Sequence, residues 1–481
     1  MKINYLAILL MAVIFSSCNG LLEENPKGLL IGNVAIQDID GLNAQLTGMY
    51  SSLQNGWEQG FASCAQIAMS MGADDVTTHP GLNKADIREF DQFNVNAYNS
   101  RMHEVWAGLY KSIQSANNII VNYEKVPGNR DQINAIAGEA YFFRGMCYYY
   151  LVRWWGKVPI VKTPVYNTSM LAIQPSEPAE IYEMIESDLK QAEEWVGDTK
   201  PAPGRINKGT VKAYLADVYL TQAGWPVKNA SKAALAAAKA KEVIDNKARY
   251  GFDLHPDFYA MFAGETSEDV FALMFNRSTK ANVFYGSSAM PGDIGGWDDF
   301  FAEVRFFKDF PEGSRKDATF LTSVEKDGKT ITWENFAVKH PYYRKFTIQR
   351  GKVNSYSSSM PAIMMRYANV LLVYAEAQAR STEPDASAYN AINLVRKRAG
   401  LSDLQPGLSK DAFIDAVIAE RGWEFAGEWS RWFDLIRTET LEKALQNRDT
   451  SSEIALIGNA GDRKNWWMPI PGNDKDKNPN L

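Results

Sequence analysis

The chain is poor in the side chains most often built into catalytic centres. It holds 4 His and 3 Cys among 481 residues. The histidines, His79, His103, His255 and His340, stand too far apart to read as a zinc cluster. No GxGxxG, P-loop, HExxH, CxxC or GxSxG pattern occurs, so the familiar signatures of nucleotide, zinc and serine-hydrolase chemistry are missing. No cofactor is expected. A net charge of −6 leaves no electrostatic footprint for nucleic acid. Near the C-terminus Asp474, Asp476 and Asn478 alternate like the start of a calcium loop, but the required Gly and distal Glu are absent. Cys64 and Cys147 do not make a disulfide framework. A buried free thiol at Cys147 and a single Cys64–Cys147 bridge both remain open.

Long hydrophobic runs are also scarce. The one at the N-terminus, Ile3 to Phe15, is too short to cross a bilayer as a helix. With Lys2 before it and Ser16-Ser17-Cys18 after it, residues 1–17 read as a secretory signal. Small residues before Cys18 resemble a bacterial lipobox, which would make Cys18 the lipidated first residue of the mature chain. Phe15 departs from the Leu usual at that place. Residues 18–35 would then be a polar tether.

What is abundant is helical patterning and aromatic surface. Hydrophobic residues make up 46% of the chain, and its 13 Trp serve either a heavily packed core or a surface that stacks on ligands. In 363–437 three amphipathic helices are read in succession. The first carries Met364, Tyr367, Leu371, Tyr374 and Gln378 on one face, and the second carries Tyr389, Ile392 and Val395. An offset of 155 lays Val218-Tyr219 on Val373-Tyr374, with 230–245 matching the second helix, and 135–155 with 177–196 form an earlier pair. Helical hairpins that cannot bury their faces alone, repeated at intervals, are the mark of tetratricopeptide-like arrays. The fold expected is mainly α, a tetratricopeptide-like solenoid core with a large irregular, loop-rich insertion containing a few short strands.

The domain reading follows from this. Residues 36–250 form an N-terminal helical part with a polar-aromatic loop near 72–100. Residues 251–361 are the insertion, and 362–481 complete the core. The loop carries Asp74, Asp75, His79, Arg88, Phe90, Phe93, Asn94, Asn96 and Tyr98. The insertion loses the helical period and turns to Gly, Asp and aromatics, among them Tyr285, Trp297 and Phe301. A loop-rich segment of that length between repeats is usually functional. GDIGGWDDFF (292–301) has what a sugar-binding surface needs: Trp297 as a flat platform, Asp298 and Asp299 as acceptors for hydroxyls, and glycines that let backbone approach. The plainer alternative is that Trp297 caps a core edge while the two Asp residues face solvent. Asp74-Asp75 and Asp298-Asp299 would in principle supply a glycosidase pair, but adjacent carboxylates on a regular element point apart. Charged residues among the tryptophans of 413–437 (Glu420, Arg421, Glu424, Arg431, Asp434) are expected to form ion pairs within the core.

RYANVLLVYAEA, INLVRKRAGL and ERGWEFAGEWSRWFDLIRT, in that order, resemble the SusD/RagB family of outer-membrane nutrient-binding lipoproteins. So do 138–145 with LVRWWGKVPIV after them, and the closing PIPGNDKDKNPNL. The resemblance implies a non-enzymatic, surface-exposed lipoprotein of the outer membrane. Its partner would be a SusC-like TonB-dependent transporter, over which it closes as a lid, and its favoured ligand an oligo- or polysaccharide. It also implies ligand contacts from the loop near 72–100 and from the insertion. The residues expected there are Asp75, Arg88, Asn96, Tyr285, Trp297, Asp298, Asp299 and Phe301. A peptide cargo, a glycosidase and a protein-binding scaffold are the alternatives.

Overall fold

A computed structural model describes residues 36–54, 60–61, 63–165, 167–275, 284–348 and 359–481. The signal segment, Cys18 and the tether lie outside the described residues. The longer helices are α1 (Ile39–Ser51), α2 (Ser100–Asn122), α3 (Arg130–Trp155), α4 (Pro178–Trp195), α5 (Lys208–Ala223), α6 (Lys232–Asp245), α7 (Tyr367–Ser381), α8 (Ala386–Arg398), α9 (Lys410–Glu424) and α10 (Ser430–Arg437). Helix starts follow local chemistry. The Asn207 side chain accepts from Thr210 N at 2.9 Å while the Thr210 hydroxyl answers Asn207 N, a reciprocal cap on α5. Glu177 and Glu180 do the same for α4, with Pro178 in its first turn.

Successive helices pair as antiparallel hairpins, α3 with α4, α5 with α6 and α7 with α8, and the pairs stack. α7 lies directly against α6, although residues 246–366 stand between them in sequence. The insertion therefore leaves and rejoins the solenoid at one point. That point is a two-stranded neck of β2 (Asp269–Leu273) and β8 (Ala362–Arg366), both wholly buried. The other strands are β1 (Val76–Thr77), β3 (Phe301–Ala302), β4 (Phe320–Leu321), β5 (Ser323–Lys326), β6 (Lys329–Thr332) and β7 (Tyr342–Tyr343). Among the described residues every sheet has two strands. β5 and β6 form a hairpin whose turn residues, Asp327 and Gly328, both have positive φ.

The structure corrects the sequence reading at three places. Residues 363–366 are strand, not the first turn of α7. They are buried on all sides by β2 and the helices, so no alternation marks them in the sequence. The loop near 72–100 contains a helix over Ala85–Asp91. The stretch read as one helix over 413–437 is broken between α9 and α10. There Gly427 (φ +74°) donates its N–H to Asp75 Oδ2 at 2.8 Å, and a Cβ on it would sit 2.8 Å from the Tyr343 ring. Cys64 and Cys147 are both buried and free, which removes the bridge.

The charged residues among the C-terminal tryptophans are paired. Arg421 meets Asp434 at 2.8 Å, Arg431 meets Asp74 at 2.7 Å, and Glu420 and Glu424 meet Arg315.

Candidate ligand-binding site

The loop near 72–100 and the insertion are distant in sequence but share one small ribbon. β1 and β3 pair antiparallel, Val76 opposite Ala302 and Thr77 opposite Phe301. Side chains lock the join. The Thr78 hydroxyl donates to Asp299 O at 2.6 Å, and the Lys84 ammonium forms a buried ion pair with the Asp299 carboxylate. Glu303 N donates to Asp75 O at 3.2 Å. Arg88 donates to the carbonyls of His79 and Gly81, and Gly81 N donates to His79 Nδ1 at 2.7 Å. The loop tip is thus held from several sides, yet its Leu82 is 92% exposed.

Just before β3 in the chain runs the glycine-rich turn of 292–298. Gly296 N donates to Pro291 O and Trp297 N to Ser287 O, each at 2.9 Å. No side chain fits at 296, since a Cβ there would lie 2.0 Å from Met290 O. Asp298 adopts φ +55° and accepts from Gly292 N and from the Tyr342 hydroxyl, both at 2.6 Å. This bracing holds Trp297 half-buried and stacked on Phe284, with ring centres 5.9 Å apart and planes 23° apart. A partly exposed indole on a braced turn, flanked by the half-buried Asp293 and Asp298, can offer a flat apolar face beside carboxylate acceptors.

The expected site residues divide. Trp297 and Asp298 reach the surface, and Arg88 acts on the loop backbone beneath it. Four others are buried and serve as scaffold. Tyr285 is sealed in by burial, and its hydroxyl donates to Phe61 O. Phe301 lies in β3 against His340 and Tyr342. Asp299 is held by Lys84, and Asp75 by Gly427 N. A buried side chain cannot meet a ligand, so these four support the turn from within rather than line its surface. Asn96 is exposed but lies in the turn before α2, where its side chain accepts from Tyr98 N at 2.8 Å. Phe284 and Leu82 were not singled out from the sequence. Nothing in local pattern distinguishes a stacked, half-buried Phe from a core one, or a pinned tip from a loose loop. Among the described residues no cluster of ligating side chains could hold a metal.

Burial also sets the titration of the scaffold. It pushes the Asp75 carboxyl up to about 7, helped by the neighbouring Asp74. Asp269, in the neck, rises to about 7 and Asp91 to about 6, each through burial first. In the unfolded chain these groups titrate near 3.8. The folded state therefore keeps protons that the unfolded state releases. That contribution to stability is complete below about pH 4 and is lost as pH rises through 6–7. Glu424 and Glu376 shift the opposite way, drawn down by arginines, and act only under stronger acid. Thermal melts should show a higher midpoint at pH 5 than at pH 8. A midpoint that rises from pH 5 to pH 8 would contradict this assignment.

A sequence model of the SusD family matches residues 183–481, well over half of the chain. The chain belongs to the SusD family. A second family model, described as starch-binding and associating with the outer membrane, matches residues 36–220. SusD-like protein P2 of Formosa agariphila is 28% identical, with 100% of this chain and 98% of that protein covered. The crystal structure of a SusD homologue from Bacteroides thetaiotaomicron superposes with a TM-score of 0.81 at 24% identity, covering 93% of this chain and 97% of the other. A laminarin-binding SusD-like protein gives 0.75 at 23% identity, covering 92% and 98%. At these identities the solved structures speak for the shared fold, a mainly helical, tetratricopeptide-like solenoid.

Proposed function

We propose that this SusD-family protein captures an oligo- or polysaccharide at the cell surface and passes it, uncleaved, to a SusC-like TonB-dependent transporter. Cys18 would carry the lipid anchor in the outer membrane, with residues 18–35 as the tether. The observation that carries the reading is the Trp297–Phe284 stack, half exposed on a turn braced by internal hydrogen bonds and flanked by Asp293 and Asp298. Pyranose rings present C–H faces to such a surface and hydroxyls to its edges. The starch-binding description of the matching family model and the laminarin-binding relative support the same ligand class. A cleavage chemistry finds little support here. Asp299 is buried against Lys84, and Asp298 is engaged by Gly292 N and Tyr342. Modest affinity at one site suffices for this role, because tethering beside the transporter raises the effective concentration at its mouth.

The test is calorimetric titration of the protein with a polysaccharide panel, alongside an assay for newly formed reducing ends. Saturable binding to one glycan class without release of product is expected. Binding to peptides alone, or release of oligosaccharides, would replace this reading by a peptide carrier or a glycosidase.

A further inference from the structure

An open groove that the Trp297 turn does not line lies where the end of α3, the start of α10 and the C-terminal segment meet. Its volume is about 560 Å³, within the range of ligand-binding clefts. Trp155 and Trp432 are buried in its floor, and the half-buried Trp467 forms a wall. Trp467 is fixed in place. It lies 4.7 Å from the Trp225 ring centre, and its indole occupies the space a side chain at Gly156 would need. The Trp432 Nε1–H is buried and has no acceptor among the described residues.

The charged groups lining the groove are of one sign. Lys157, Lys464, Asn94 and Asn465 contribute to it, and no Asp or Glu does, in a chain with 57 acids and a net charge of −6. Lys157 does pair with Glu177, but at an exposed position where such a pair is weak and easily exchanged. Lys464 is exposed and forms no ion pair among the described residues. Aromatic walls favour a sugar ring. Two ammonium groups with no carboxylate in the lining favour one that bears anionic oxygens.

We propose that this groove is a separate binding site for an acidic saccharide unit, a uronate or a sulfated sugar. The inference rests on the glycan reading above but uses none of the platform residues. The two sites are joined by the segment that runs through Met69, Gly72 and Phe93 and carries Thr77 to the ribbon, and by the Thr77 hydroxyl, which donates to Asp91 beside the groove-lining Phe90 at 2.9 Å.

The test titrates the protein with trigalacturonic acid, a sulfated κ-carrageenan oligosaccharide and a panel of neutral polysaccharides, read by heat and tryptophan fluorescence. At least one acidic probe should bind and should not be displaced by a neutral glycan. The exposed double variant Lys157→Ala/Lys464→Ala should weaken it by about tenfold or more, and added salt should weaken the wild type. Trp467→Ala should reduce the fluorescence change, and Trp297→Ala should leave acidic binding as it was. Acidic binding lost in Trp297→Ala but kept in the lysine variant would overturn the groove and leave glycan capture standing. So would a protein that binds neutral glycans and neither acidic probe. Silence toward every glycan would overturn both readings.

Discussion

Replacing Arg366 with methionine is expected to lower the free energy of unfolding by about 3–5 kcal/mol. Arg366 ends β8, where the insertion rejoins the solenoid, and only 1% of it is exposed. Its guanidinium reaches Glu268 and Glu424 at 2.7 Å each and Glu428 at 2.9 Å, and donates to Glu424 O at 2.9 Å. Around it Lys345 pairs with Glu428 at 2.5 Å, Arg398 with Glu268 at 2.8 Å, and Arg315 with Glu420 at 2.6 Å. Burial alone would raise the Glu424 carboxyl, but Arg398, Arg366 and Arg315 together hold it down to about 2. Ionised carboxylates in such a place depend on their cations. Methionine fills much of the same space yet leaves Glu268 to Arg398, Glu424 to Arg398 and Arg315, and Glu428 to Lys345 alone, and weakening the pairing of buried charges costs more than losing a surface pair. Urea denaturation measures the loss. A change under about 1 kcal/mol would mean that the remaining cations compensate, and that the neck is not held by this network. Because the network joins Glu268 of the insertion to Glu424 and Glu428 beside the α9–α10 break, the variant should also expose the insertion to proteolysis before the solenoid.

Trp297→Ala is expected to weaken glycan binding by about 2 kcal/mol, roughly thirtyfold, while leaving the melting midpoint nearly unchanged. The two halves of this expectation have separate causes. Aromatic side chains that meet a ligand across a flat face carry a disproportionate share of binding energy. Trp297 itself is half-buried, and the bonds that shape its turn run through backbone and through Asp298, so removing the indole leaves the brace intact. Calorimetry on wild type and variant, each checked by thermal melting, decides it. Unchanged affinity with an unchanged melt would move the glycan off this turn. A large fall in the melt would make Trp297 a core residue, the plainer alternative that its sequence context leaves open.

Some of this was legible in the residues alone. The period of Tyr367, Leu371 and Tyr374, and its echo at Val218-Tyr219, identify stacked helical hairpins, because a one-sided apolar stripe at helical spacing has few other uses. The break in that period over 251–361 marks the insertion. The Trp297 turn stands out as a candidate in the same way, since glycines beside an aromatic and two acids are an unusual local mixture.

What sequence could not separate was surface from scaffold. Asp298 and Asp299 are neighbours in the chain, yet one is half-buried at the edge of the Trp297 turn and the other is buried against Lys84. Tyr285, Phe301 and Asp75 look like ligand groups by type and are sealed by contacts with Phe61, β1 and Gly427. Local composition determined the helices, the insertion and the candidate turn, because periodicity and propensity act over a few residues. The tertiary structure alone decided which polar groups face water, because β1 joins β3 and β2 joins β8 across long stretches of sequence, and burial follows from those joins.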